Sequence, residues 1–398
     1  MTDPSGEPPP RRTVDPRAAL STAAVEVAPE GTDPQLLGDV VAWLVAPRHG
    51  PTGLRRAVLR QAADEVAAAF RAALPDRPDA DQAIAATSTL RRWAELGCRV
   101  ALVGDPAFPG RLSMSWGHHT VPPLLAWRGE LGDGPAAAIV GARRATSYGT
   151  GVAAWLAGTA ARAGVRIVSG GAVGIDASAH RAAVDELGAT TVVLGCGHGV
   201  GYPRVHATDG GLFDRVVGGG GAIVSELLPD QPPNAGHVRE RNRVVAGISD
   251  LTVVVEGGQR SGALLTAGAA AEQSRTVLAV PGDVRVAGSA APHRLLQEGA
   301  GICTHPRDLL EALGRDAGDG GGTDQGPAAD PGTTSPRASS LPDDVHRHLV
   351  GAWPRSVLID DLAAATGRAT GPLLAAVTRA QVAGELTIGA DGVRLRRG

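Results

Sequence analysis

The chain has 398 residues, a formal net charge of -3 from 38 basic and 41 acidic side chains, and a mean hydropathy of -0.01. That length exceeds one small domain, and 43% hydrophobic against 20% charged residues supplies sizeable cores rather than global disorder. The balanced charge means that a site for a polyanion must be local.

No lysine occurs, so every basic residue is arginine. This excludes a Walker-type P-loop, a Schiff base and a kinase lysine. The three cysteines, Cys98, Cys196 and Cys303, form no C-x-x-C pair, so no disulfide framework or zinc site is expected and a reducing cytoplasm fits best.

Residues 1–17 read as a disordered tail without the apolar core of a signal peptide. No later run reaches the ~20 apolar residues needed to span a membrane. Residues 18–135 are expected to form a helical N-terminal domain and a lead-in. Leu36, Leu37, Val40, Val41 and Leu44 recur at helical spacing, as do Leu54, Val58, Leu59, Ala62 and Val66. Short apolar runs at 99–103 and 123–127 belong to the lead-in.

From 136 to 313 the pattern changes to β-branched runs at 137–140, 165–168, 191–194, 222–224, 251–255 and 276–280, separated by helix-length Ala-rich stretches. Such alternation predicts βαβ units in an extended Rossmann-like α/β domain with a parallel sheet covered on both faces. Residues 314–340, nearly all Gly, Pro, Asp, Ser and Thr, read as a linker. Residues 341–398 read as three helices and a hairpin around Asp391-Gly392, the order of a winged helix. The third of these helices offers only Thr378, Arg379 and Gln381, and the segment has seven arginines against six carboxylates. A protein-interaction or packing role is therefore expected of it rather than duplex reading.

In an open parallel sheet, ligands bind beyond the carboxyl ends of the strands. There the sequence places Gly141, Arg143 and Arg144 after the first run, and Ser169, Gly170, Gly171, Gly174 and Asp176 after the second. Ser261, Gly262 and Thr266 follow the fifth. Glycines admit an anion to backbone N–H groups, helix N-termini favour negative charge, and arginine forks onto phosphate. Each loop alone also reads as ordinary turn chemistry, with Asp176 as a cap and His180 as a packed side chain. The segment 232–243 adds Arg239, Arg241, Asn242 and Arg243, expected on a loop leading into a helix at 242–248, as a phosphate clamp. No nucleophile–base set or spaced metal cluster is evident, so no catalytic residue, metal or cofactor is expected.

These residues resemble the DNA-processing protein A (DprA/Smf) family. The resemblance is carried by VGARRATSYG at 140–149, SGGAVGIDASAH at 169–180, GCGHGVGYP at 195–203, RNRVVAGIS at 241–249, VVVEGGQRSGALLTA at 253–267, AVPGD at 279–283 and LLQEGA at 295–300. GDPAFPGRL at 104–112 and PPLLAWRG at 122–129 are also similar to the family. The resemblance implies a cytoplasmic homodimer that binds and protects single-stranded DNA and loads the RecA recombinase in natural transformation and DNA recombination. By motif position it assigns phosphate contacts to Arg143, to the loop from Ser169 to Asp176, to Arg241, Asn242 and Arg243, and to Ser261, Gly262 and Thr266. Val173 stands where many relatives carry a basic residue. The rival expectation is an enzyme acting on a nucleotide, but such Rossmann folds place a glutamate one turn after the glycine-rich turn, where this chain has Leu264, Leu265 and Thr266.

Overall fold

A computed structural model describes residues 15–46, 78–113 and 121–315, and in a C-terminal unit 341–342, 344–345, 348–349, 357–382, 386–389 and 392–395. The tail up to 14, the helical repeat at 54–66, most of the linker and the Asp391 turn lie outside the described residues. The chain divides into two units, Met1–Asp324 and Gln325–Gly398.

Among the described residues, three helices open the first unit: α1 (Pro16–Val27), α2 (Pro34–Val45) and α3 (Ala80–Glu95). Each begins where an aspartate can accept orphan backbone N–H groups. Asp33 accepts from Gln35 and Leu36, and Asp79 and Gln82 form a reciprocal capping box at 2.8 and 3.1 Å. Their apolar faces bury Leu37, Leu90 and Trp93 against the sheet.

That sheet has nine strands: β1 (Arg99–Leu102), β2 (Leu124–Gly129), β3 (Ala136–Val140), β4 (Arg166–Ser169), β5 (Thr190–Val193), β6 (Ala222–Ser225), β7 (Leu251–Val254), β8 (Thr276–Ala279) and β9 (Gly301–Ile302). Their order is β1-β2-β6-β5-β4-β3-β7-β8-β9. From β6 to β9 all neighbours are parallel, whereas β2 runs antiparallel to β6 and to β1. The six β-branched runs are thus parallel strands of one sheet. The two runs expected as a lead-in are antiparallel strands of the same sheet, β1 at its edge and β2 inside it, where Ala126 and Trp127 pair with Ser225 and Val224.

Period-2 alternation sends the two sets of side chains of β3 to opposite cores. Ala137 and Ile139 pack with Val152, Leu156 and Leu309; Ala138 and Val140 pack with Val168, Val244 and Val254. The first of these cores lies under α4 (Ser147–Arg162), α5 (Ile175–Asp185) and α10 (Pro306–Ala312). Between them in sequence come α6 (Leu212–Gly218), α7 (Ala235–Ile248), α8 (Gly262–Glu272) and α9 (Ala290–Gln297). Arg111 of the GDPAFPGRL motif donates to Asp250 at 2.6 Å, and Asp250 accepts from the Ala136 amide at 2.8 Å. The motif therefore clamps the N-terminal ends of β3 and β7, away from the loops at the other edge. All three cysteines are buried as free thiols, and burial pushes Cys98 and Cys303 up to about 12.

The second unit contains α11 (Ile359–Thr366), ended by Gly367 at φ +64, then α12 (Thr370–Val382) and the hairpin β10 (Leu386–Gly389) and β11 (Gly392–Leu395). Leu362, Leu373, Val377, Leu386 and Val393 form its own core, and Arg368 grips Asp344 through two bonds of 2.8 Å.

Candidate nucleic-acid interface

Because β4, β3 and β7 are parallel neighbours, the loops that follow them share one edge of the sheet. The first two touch backbone to backbone. The Ile175 amide donates to the Ala142 carbonyl at 3.2 Å, and a Cβ on Gly174 (φ +87) would stand 2.3 Å from that same oxygen. Only glycine permits this approach. Gly174 is also the N-cap of α5 and supplies no side-chain cap, so beyond the Ile175 amide held by Ala142 the helix start has no capping side chain.

Asp176 does not compete, because it turns inward. Its carboxylate accepts from the amides of Gly170 and Ala172 at 3.1 and 3.4 Å, which closes the loop. Burial raises its pKa, opposed by the nearby Arg241 and by these amides. Ser169 is likewise interior, donating to the Ile139 carbonyl at 2.6 Å. His180 is packed, 2.8 Å from the Thr190 hydroxyl, and burial with neighbouring cations pushes it down to about 3.

Arg143 and Arg144 stand exposed on the first loop. That loop is anchored by a residue the sequence reading passed over, Glu256, which is 5% exposed. Glu256 accepts from the Thr146 amide at 2.9 Å and from its hydroxyl, while Thr146 caps α4 by accepting from Gly149 at 3.0 Å. A Cβ on Gly149 would lie 2.3 Å from the Glu256 carboxyl carbon. Gly149→Ala is therefore expected to push the buried carboxylate off Thr146 and lower the unfolding free energy by about 2 kcal/mol in urea denaturation. The signal was an acidic residue at a strand end facing a helix N-terminus across the sheet.

The segment 235–241 departs from its expected loop, the helix beginning seven residues earlier than expected. Asn234 accepts from the His237 amide at 2.8 Å and starts α7 there, so Arg239, Arg241, Asn242 and Arg243 are helical residues. The helix sorts them by face. Arg239 is exposed, while Arg241 and Arg243 are only 7% and 5% exposed. The Arg241 guanidinium lies directly on Gly170, where no side chain would fit, and near Asp176. Arg243 pairs with buried Glu226. Asn242 donates to the Gly262 carbonyl at 3.3 Å and so positions the turn before α8. In that turn Ser261 caps α8 by accepting from Ala263 at 3.2 Å, and Gly262 is exposed, but Thr266 is buried at 2%.

Arg260, also exposed and not singled out from sequence, lines a 980 Å³ groove together with Arg239 and Asn242. An arginine inside a glycine-rich turn before a helix was its available signal. The loop after β5, equally glycine-rich, is consumed internally: Gly197 and Gly199 donate to the carbonyls of Gln231 and Pro229 at 2.9 and 2.8 Å. Glu272, the next carboxylate after the turn, sits at the far end of α8. Among the described residues no group of three His, Cys, Asp or Glu side chains could hold a metal, and no helix is long and apolar enough to cross a membrane.

The site is a doubly wound α/β sheet whose loops carry exposed arginines and are braced by buried ones, with no evident catalytic set among the described residues. The chain belongs to the DNA recombination-mediator protein A family, whose sequence profile matches residues 99–314. It is 38% identical over 251 residues to a putative DNA processing protein DprA of Mycobacterium tuberculosis, covering 63% of this chain and 61% of that protein. It is 43% identical over 176 residues to protein Smf of Escherichia coli, covering 44% and 46%. Its fold is similar to the X-ray structure of DprA from Streptococcus pneumoniae, with a TM-score of 0.55 at 26% identity over 70% of this chain and 96% of that one.

Proposed function

We propose that the chain binds single-stranded DNA through its phosphates, protects it, and loads the RecA recombinase onto it during DNA recombination and natural transformation. It would work as a cytoplasmic homodimer. The observation that carries the reading is the exposed Arg143–Arg144 pair on the loop whose Ala142 and Arg143 backbone lies against Gly174 at the start of α5. Arg239, Arg260, Ser261 and Gly262 extend the same edge. Ser169, Gly170, Gly171, Asp176, Arg241, Asn242, Arg243 and Thr266 serve the site by fixing its loops. The C-terminal unit is read as a winged helix that engages protein, and the N-terminal helices as a separate domain in function.

A backbone-reading site ignores base identity and is sensitive to salt. Fluorescence anisotropy with a labelled ~40-nucleotide strand is expected to give tight binding that weakens steeply with salt, with duplex of the same sequence a poor competitor. A strand that fails to bind at low salt, while a mononucleotide binds and is consumed, would overturn the reading.

A further inference from the structure

Beside β2, outside the arginine-bearing loops, lies a cavity of 480 Å³ lined by Arg128, His198, Arg204, Thr208, Asp209 and Phe213, among others. Its volume falls within the roughly 300–1,000 Å³ usual for small-ligand sites. His198 is only 5% exposed. Its Nε2 is 3.0 Å from the Ala126 carbonyl, an acceptor, so Nε2 carries the proton and Nδ1 is left as a lone-pair acceptor. Nδ1 is buried and has no hydrogen-bond partner in the structure. Two residues along the same strand from Ala126, and therefore on the same face, Arg128 brings its Nε, also buried and unpartnered. Two such orphans in one cavity are costly unless something pairs with them.

The pair defines what that something is. An N–H donor and a lone-pair acceptor on residues that line one cavity match a group that presents both an acceptor and a donor. A phosphomonoester dianion offers no donor to Nδ1, and a cation is refused by two arginines. The hydrogen-bonding edge of a nucleobase meets both demands. At the rim, exposed Arg204 provides an anion contact, and Asp209 and Thr208 provide partners for sugar hydroxyls. Asp214 is occupied by the Gly210 amide at 2.9 Å. Burial holds His198 down at about 4, which keeps the acceptor available at neutral pH.

We propose that the Arg128–His198–Arg204 cavity binds one phosphorylated nucleotide, base inward, at a site separate from the phosphate-binding loops. The test is calorimetric titration of the full chain with deoxynucleoside monophosphates, beside inorganic phosphate and ribose 5-phosphate. One-to-one binding is expected for the nucleotides, at least tenfold tighter than for either control. Arg204→Ala, on the surface, and Arg128→Met, which keeps the apolar stem, are each expected to weaken it at least tenfold. The Arg143→Ala/Arg144→Ala chain should bind nucleotide unchanged, whereas Arg204→Ala should bind single-stranded DNA unchanged, so the two sites fail independently. Displacement by a short oligonucleotide would identify the occupant as a strand end, and its absence a free nucleotide. No saturation by about 10 mM nucleotide overturns the proposal, as does binding lost with Arg143 and Arg144 but retained without Arg128 and Arg204.

Discussion

A chain carrying Arg143→Ala and Arg144→Ala is expected to lose about 100-fold in single-strand affinity at low salt while its unfolding transition stays in place. Both guanidinium groups are exposed. Each phosphate contact they make contributes a charge-assisted bond and releases counterions, so removing two lowers the logarithmic salt slope by about 1.4. The loss should be uniform across sequences, since a phosphate carries no base identity. Unchanged affinity at every salt concentration would remove the site from this edge of the sheet. Arg243→Ala should behave in the opposite order. It deletes the cation facing buried Glu226, and breaking such a pair costs about 3–5 kcal/mol, so thermal stability falls first and DNA binding only as a consequence. Anisotropy and thermal melting on the same samples separate the two.

Acidification from pH 7 to pH 5 is expected to lower the unfolding free energy by about 3–4 kcal/mol, before most carboxylates titrate. The cause is two buried imidazoles. Burial, with neighbouring cations, lowers His180 to about 3 and His198 to about 4. Each therefore stays neutral in the folded chain but takes up a proton on unfolding once the pH is below about 6.5. Their stability contribution is complete above that pH and is lost as the pH falls toward the folded values, each contributing nearly 2 kcal/mol of the drop. Urea denaturation at four pH values measures it, and replacing either histidine by glutamine should halve the pH-dependent part. A flat profile over that interval would mean that neither ring is buried neutral.

The strands show how far local pattern reaches. Six runs of β-branched residues became six parallel strands with ends shifted by no more than about one residue, because a strand buried on both faces must be apolar throughout. The loops after them were equally legible, since a strand-to-helix turn that approaches another backbone is written in glycine: Gly174 at φ +87 is such a case. Less legible was the start of α7. A segment rich in charge and preceded by prolines resembles a loop, and only the Asn234 cap, seven residues before Arg241, reveals the helix. Strands β1 and β2 were read only as short apolar pieces, since β2 pairs with β6, a segment about a hundred residues away, and β1 pairs with β2.

By itself the sequence determined the strand-and-helix alternation, the position of the glycine-rich loops and the supply of arginine near them. These follow from contiguous residues, whose periodicity and turn chemistry act over a few positions. Only the tertiary structure decided which arginines meet solvent. Arg143, Arg144, Arg239 and Arg260 face outward, while Arg241 and Arg243 are buried against Gly170 and Glu226. Glu256 became the anchor of the first loop only when β7 came to lie beside β3. The physical reason is desolvation: a charge can be buried only where an opposite charge or a hydrogen-bonding group is delivered by another part of the chain.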